Sequence, residues 1–261
     1  MKHTNKGAIG ALIIEPQGAT WTEDPNMRAA ATVNNPNSPD EFNAQFREFV
    51  LIFQSDVNMR YGNGSEIQPP PDNEDPAERG QKAFNYRAEP IWFRMGFQPE
   101  TPFNVTRTYD FTKVLSNDQV GGDPETPIFT ATPGKNTRFR VLHPGGHGQF
   151  SVFELHGHVW QEEPYVSGSS KLGSNALSEW KGSQPHHGPT NHFDALLENG
   201  AGGQFKVTGD YLYRDYVPWM FFHGTWGIFR VGLTPTPYPY PYPDPEPVPE
   251  PVPGPGPVPA E

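Results

Sequence analysis

Between Phe42 and Leu233 the chain alternates short apolar runs with clusters of Gly, Pro and Asn, and no stretch sustains the three-to-four-residue periodicity of a long amphipathic helix. Seven runs have the length and the β-branched or aromatic content of strands: REFVLIFQSD from Arg47, EPIWFRM from Glu89, PIFTATPG from Pro127, TRFRVLHPGG from Thr137, FSVFELHGHVW from Phe150, GGQFKVTGDYLYRD from Gly202 and WGIFRVGL from Trp226. FDALLEN, from Phe193 to Asn199, fits either a helical turn or a further strand. Many short strands separated by turn residues predict an all-β sandwich. The stretches from Tyr61 to Gln81 and from Gln161 to Thr190 show no period and read as long loops.

The two ends differ from this middle. GAIGALIIEP, from Gly7 to Pro16, reads as one apolar strand stopped by proline, with an Asn, Pro and Ala-rich stretch running on to about Asp40. From Pro235 to Pro259 every second residue is proline. Alternating proline removes every second backbone donor and holds the chain extended, so this segment reads as a semi-rigid spacer or tail.

Composition narrows the partners. With 30 acidic against 19 basic side chains, the net charge of −11 opposes phosphate backbones and anionic lipid heads, so nucleic acid and membrane surfaces are poor partners. No run has the roughly 18 apolar residues of a membrane span, and residues 1–10 lack the apolar stretch of a signal peptide. There is no cysteine. A blue copper centre requires a thiolate, so that chemistry is closed to this chain.

Nine histidines remain. His143, His147, His156, His158 and His223 fall among the predicted strands, and residues two apart on a strand share a face. His156 and His158 are thereby expected side by side, with Glu154 on the same face, as a mixed imidazole and carboxylate metal site to which His147 adds a further donor. The alternative at the same residues is one buried, backbone-bonded histidine and one that caps a loop. His186, His187 and His192, in PHHGPTNH, read as solvated loop residues. No nucleophile elbow, phosphate loop, dinucleotide fingerprint or acid/base carboxylate pair stands out.

TPGKNTRFRVLHPGGHGQFSVFELHGHVW, NGAGGQFKVTGDYLYRD and WGIFRVGL, with NYRAEP and KGAIGALIIEP upstream, resemble the last cupredoxin domain of large bacterial multicopper oxidases, including the manganese-oxidase-like branch. The resemblance implies a cupredoxin-like Greek-key β-sandwich with long loops, preceded by a strand that closes another domain and followed by the proline-rich tail. It divides the chain into an orphan strand segment over residues 1–22, a linker over 23–41, the cupredoxin-like domain over 42–233 and the tail over 234–261. It also implies an extracytoplasmic or cell-surface location.

In that family a HPxHLHGH stretch and a later HCHxxxH stretch carry the copper ligands. Here Ser151 and Glu154 replace the first two histidines, His156 keeps the third, and Arg214, Asp215 and Tyr216 occupy the second stretch. Trp226 stands near the place of the axial methionine. The expectation is therefore a degenerate module, structural or assembly-forming and without blue copper, joined through its N-terminal strand to another protein chain or a copy of itself in an oligomer. The alternative is a subunit of a copper-dependent oxidoreductase, sharing a type-2-like copper at His156 with a partner. A weaker third reading is a surface-binding module that uses the loops around Trp180 and His186.

Overall fold

The structure is a computed structural model that describes residues 7–25, 27–57, 60, 62–66, 81–96, 114–115, 122–145, 150–166 and 171–232. Fifteen strands follow in chain order: β1 (Thr20–Asp24), β2 (Met27–Asn34), β3 (Gln45–Val57), β4 (Gln81–Phe84), β5 (Ile128–Ala131), β6 (Thr137–Leu142), β7 (Ser151–Leu155), β8 (Trp160–Gln161), β9 (Tyr165–Val166), β10 (Lys171–Leu172), β11 (Trp180–Lys181), β12 (Ser183–His187), β13 (His192–Leu196), β14 (Gly209–Asp215) and β15 (Trp226–Val231). One sheet runs β1-β2-β3-β6-β13, with β4 also on β3, and the other runs β12-β7-β14-β15-β5. Two pairs are parallel, β3 with β6 and β15 with β5, so the chain crosses between sheets rather than meandering. The result is the all-β, cupredoxin-like sandwich expected.

Alternation places the core. Phe49 and Leu51 of β3, Phe139 and Val141 of β6, Phe153 and Leu155 of β7, Tyr213 of β14 and Phe229 of β15 are buried in one cluster between the sheets. Phe49 stacks on Phe129 at 4.7 Å and meets Phe139 at 5.0 Å, so the centre is an aromatic contact set. The Tyr213 hydroxyl donates to the Pro127 carbonyl at 2.6 Å, which satisfies the one polar atom that this ring carries into the core.

β15 is buried on both faces. Phe229 and Val231 face the main core, whereas Trp226 and Ile228 face a second cluster with Ile91, Trp92, Phe221 and Phe222. That second cluster explains one departure from expectation: EPIWFRM is not a strand but a short helix, Ile91–Arg94. Ile91 and Trp92 are neighbours in sequence and both buried, which a helical turn over the sheet permits and a two-sided strand at a solvent face does not. FDALLEN resolves to β13.

The largest departure lies at residues 23–41, expected as a linker. They carry β2 and the end of β1, paired antiparallel with each other, and β2 pairs antiparallel with β3. Only Ala30 and Val33 of β2 are buried, and such small, sparse apolar positions give little alternation to detect. The region from Gln161 to Thr190, expected as loop, holds four short strands, of which β12 joins the second sheet. Gly7 to Pro16 forms no β-ladder with any described residue. Its backbone is tied by the Tyr86 hydroxyl, which donates to the Gly7 and Ile9 carbonyls at 3.0 and 2.6 Å, and by Glu15, which pairs with Arg140 at 2.8 Å. The proline-rich tail and most of the stretch from Tyr61 to Gln81 lie outside the described residues.

Candidate functional site

Strand β7 sets the first group of candidates. Glu154 is on β7, but the strand ends at Leu155 and Gly157 takes φ +71°, a left-handed conformation that glycine adopts without penalty. A Cβ there would stand 2.8 Å from the Tyr211 ring, so the turn is also sterically reserved. The strand alternation is broken between the two histidines, and they part company: His156 stays exposed while His158 turns into the core.

His158 has no nitrogen left for a metal. Its Nδ1 bonds the His156 carbonyl at 2.9 Å and its Nε2 accepts from the Gly202 N–H at 2.9 Å, an arrangement that fixes the proton on Nδ1. Burial pushes its pKa below the ordinary histidine range, with the His156 carbonyl offsetting part of the shift. The ring packs against Tyr211 and Phe229 at 4.7 and 5.3 Å.

Glu154 is likewise engaged. Its Oε2 accepts from Arg214 Nε at 2.7 Å and lies 3.3 Å from His156 Nε2. Arg214 also lies over the Tyr216 and Phe221 rings, at 5.2 and 5.0 Å. Thus Arg214, in the stretch where the resemblance expects imidazole, supplies the positive charge beside Glu154. His147 lies outside the described residues. The expected shared face of Glu154, His156 and His158 is therefore not formed: Glu154 and His156 meet while His158 turns away, and these described residues alone do not complete a type-2-like copper site. Among the described residues no group of three or more His, Asp or Glu is placed to hold a metal ion.

Other positions aligned with ligands have structural work instead. Asp215 is fully buried, and its Oδ1 accepts from the Val152 N–H at 3.0 Å and the Val217 N–H at 3.1 Å, tying β14 to β7. Burial pushes its carboxyl up to about 6, against the lowering effect of those N–H groups. Trp226 is buried and donates its indole N–H to the Glu89 carbonyl at 2.6 Å. His223, at the end of the short helix Pro218–Phe222, is pushed down to about 3 by burial and by the charge of Lys82.

Two features escaped sequence reading. His187, expected as a solvated loop residue, ends β12 and is 1% exposed, beside His143, which is also 1% exposed and follows β6. The local cause is the φ of +59° at His186 and the register shift between Gln184 and His187, which turn His187 inward. The ring centroids of His143 and His187 are 5.3 Å apart. None of their four ring nitrogens makes a hydrogen bond of normal geometry. Burial pushes His143 down to about 4, with the His187 backbone offsetting part of this, and His187 down to about 3.

The second is a buried ionic group beside the N-terminal segment. Arg140 pairs with Glu48 at 2.5 Å, Glu15 at 2.8 Å and Asp194 at 3.2 Å, and the Tyr165 hydroxyl donates to Asp194 at 3.2 Å. Burial pushes Glu48 up to about 7; Arg140 opposes that shift and Glu15 adds to it. A pocket of about 690 Å³ opens here, lined by Ile14, Glu15, Asn43, Arg138, Arg140 and Tyr165 among others. Charged pairs on β3, β6 and β13 carry no sequence motif; only the parallel register of β3 on β6 brings them together.

No family model and no curated protein sequence matches the chain. Among solved structures it is similar to a multicopper oxidase, at 11% identity over 78% of this chain and 56% of that one, with a TM-score of 0.38. A laccase from Botrytis aclada matches at 14% identity over 72% of this chain and 29% of its own, with a TM-score of 0.38. A copper-containing nitrite reductase from Thermus scotoductus matches at 14% identity, covering 71% and 30%, with a TM-score of 0.32. The chain spans little more than half the length of the first of these proteins and less than a third of the other two.

Proposed function

We propose that this chain is a cupredoxin-like module without a blue copper centre that acts by assembly, lending its N-terminal segment as a strand to the sheet of another polypeptide. The observation that carries the proposal is the state of Gly7 to Pro16. This apolar segment makes no ladder with any described residue and leaves Leu12 86% and Ile14 77% exposed. Exposed apolar side chains on a backbone without ladder partners are the features that strand addition satisfies, through main-chain hydrogen bonds and side-chain pockets.

The chemistry of the remaining ligand positions supports the same reading. Arg214 neutralises Glu154, backbone groups occupy both nitrogens of His158, and the sequence has no thiol to hold blue copper. Size-exclusion chromatography with light scattering, combined with backbone hydrogen exchange, tests the proposal. The full chain is expected to self-associate or to form a stable complex with a second polypeptide, with the amides of residues 7–16 protected in the complex. Ile14→Lys with Leu12→Lys is expected to abolish association while the thermal midpoint of the monomer stays within about 2 °C, because both side chains are solvent-facing. A strictly monomeric chain at high concentration, with fast exchange over residues 7–16 in every preparation, refutes it.

A further inference from the structure

At its C-terminal end the segment Gly7 to Pro16 is tied down by Glu15, whose carboxylate enters a group of charges that do not balance. Arg140 meets Glu48, Glu15 and Asp194 at 2.5, 2.8 and 3.2 Å, and Arg138 lies 3.9 Å from Glu48. All five side chains are less than a fifth exposed. Fully ionised, three carboxylates face two guanidiniums and leave one negative charge with little water around it; a single proton removes that excess. Contacts place the proton on Glu48. Its carboxyl and that of Glu15 lie within hydrogen-bond reach of each other, and two carboxyls bond only when one of them is protonated. Glu15 Oε2 is enclosed and receives no N–H or O–H from the described chain, so a protonated Glu48 supplies a donor beside it.

We propose that the proton on Glu48 is a latch for the N-terminal segment: while it is in place Glu15 stays docked on Arg140, and its loss frees the segment for strand donation. The latch rests on the reading of residues 7–16 as a donated strand, and it gives that strand a control.

The other elements around Glu48 do not supply the missing charge. β2 places Ala31 opposite it, and β1 brings Glu23 one strand further out. From β13 comes Asp194, which accepts from the Tyr165 hydroxyl. The short helix Glu41–Ala44, capped by Asp40, contributes Asn43, whose Oδ1 accepts from Arg138. None of these is a cation, so an ionised Glu48 is left facing Glu15. Burial pushes Glu48 up to about 7 in the docked arrangement, with Arg140 opposing the shift and Glu15 adding to it. Departure of the segment takes away the Glu15 charge and part of the cover, so both raising influences weaken and the carboxyl moves back toward 4.5. The docked form thus holds the proton more tightly. Its advantage is complete below about pH 4.5 and is lost as pH rises through 7. A carboxyl that titrates near 7 when docked and near 4.5 when released changes the docking constant about tenfold between pH 6 and pH 9.

The test is limited proteolysis of the dilute full chain from pH 6 to pH 9, with cleavage within residues 7–16 located by mass spectrometry. Each rate is divided by that of a free peptide of residues 7–19 under the same conditions, which removes the protease's own pH dependence. The normalised rate is expected to rise about tenfold from pH 6 to pH 9. Glu48→Gln, which keeps a donor and cannot ionise, is expected to hold the low rate across the range. Glu15→Gln leaves an ionised Glu48 no carboxylate to repel and is expected to flatten the profile as well. Thermal melting reports the folding of both variants, and the wild-type profile stands without them. A wild-type rate constant within twofold, a rate that rises on acidification, or a Glu48→Gln chain that follows the wild-type profile overturns the proposal. Light scattering of the same chain at pH 6 and pH 9 separates the two readings. A tenfold profile in a chain that never associates supports the latch and sinks strand donation, whereas association with a flat profile sinks the latch alone.

Discussion

Asp215→Asn probes the residue that stands in the stretch where the resemblance puts the thiolate. Asp215 is fully buried, uses Oδ1 to accept from Val152 and Val217, and leaves Oδ2 without a partner. Burial raises its carboxyl from 3.8 to about 6. A carboxyl with a raised folded-state pKa binds its proton more tightly in the native protein than in the unfolded chain. Its contribution to stability is present below the unfolded value and is lost as pH rises from about 4 through 6. At 1.36 kcal/mol per unit, the shift of about two units corresponds to about 3 kcal/mol lost by pH 7. Asparagine keeps the carbonyl oxygen for the two N–H groups and does not ionise. Urea unfolding at pH 4 and pH 7, followed by tryptophan fluorescence, is expected to show wild type losing about 3 kcal/mol more than Asp215→Asn across that interval. Other titrating groups, including Glu48, are common to both proteins and drop out of the difference. Parallel pH profiles for the two, within about 0.5 kcal/mol, would falsify the assignment of this position as a buried, protonatable strut.

Gly157→Ala is expected to cost at least about 2 kcal/mol in urea unfolding, because the new Cβ meets the Tyr211 ring at 2.8 Å in a left-handed turn, and to loosen His158, visible as faster exchange of the Gly202 amide. Arg140→Met leaves Glu15, Glu48 and Asp194 without their shared cation; a loss of about 3–5 kcal/mol is expected, together with faster proteolysis within residues 7–16, since Glu15 is one of the ties holding that segment. Tyr213→Phe removes a buried hydroxyl and leaves the Pro127 carbonyl with the Ile228 N–H alone, at 3.3 Å, with an expected loss of about 1 kcal/mol by thermal melting; an unchanged midpoint would count against that hydrogen bond.

How much of the candidate site was legible follows from single residues. The sequence singles out Glu154, His156 and His158, but strand alternation gives their geometry only while the strand continues. Gly157 ends it, and nothing local in the sequence says whether a glycine between two histidines is pleated or turned. His143 and His187 were seen but not paired, because they lie 44 positions apart and meet only where β6 and β12 end in opposite sheets. The helix at Ile91 looked like a strand because its apolar residues are contiguous, and contiguity does not distinguish the two when burial comes from a second cluster.

By itself the sequence determined the all-β class, the positions of the long core strands and the lack of a thiolate for blue copper, because aromatic alternation and the absence of cysteine are local and compositional properties. The tertiary structure decided the rest. It drew residues 20–34 into the first sheet, gave the nitrogens of His158 to the backbone, paired Glu154 with Arg214, and left Gly7 to Pro16 outside any described ladder. Each depends on which distant segment arrives as a neighbour, and a polar side chain's chemistry is set by whether that neighbour supplies a hydrogen bond, a charge or nothing.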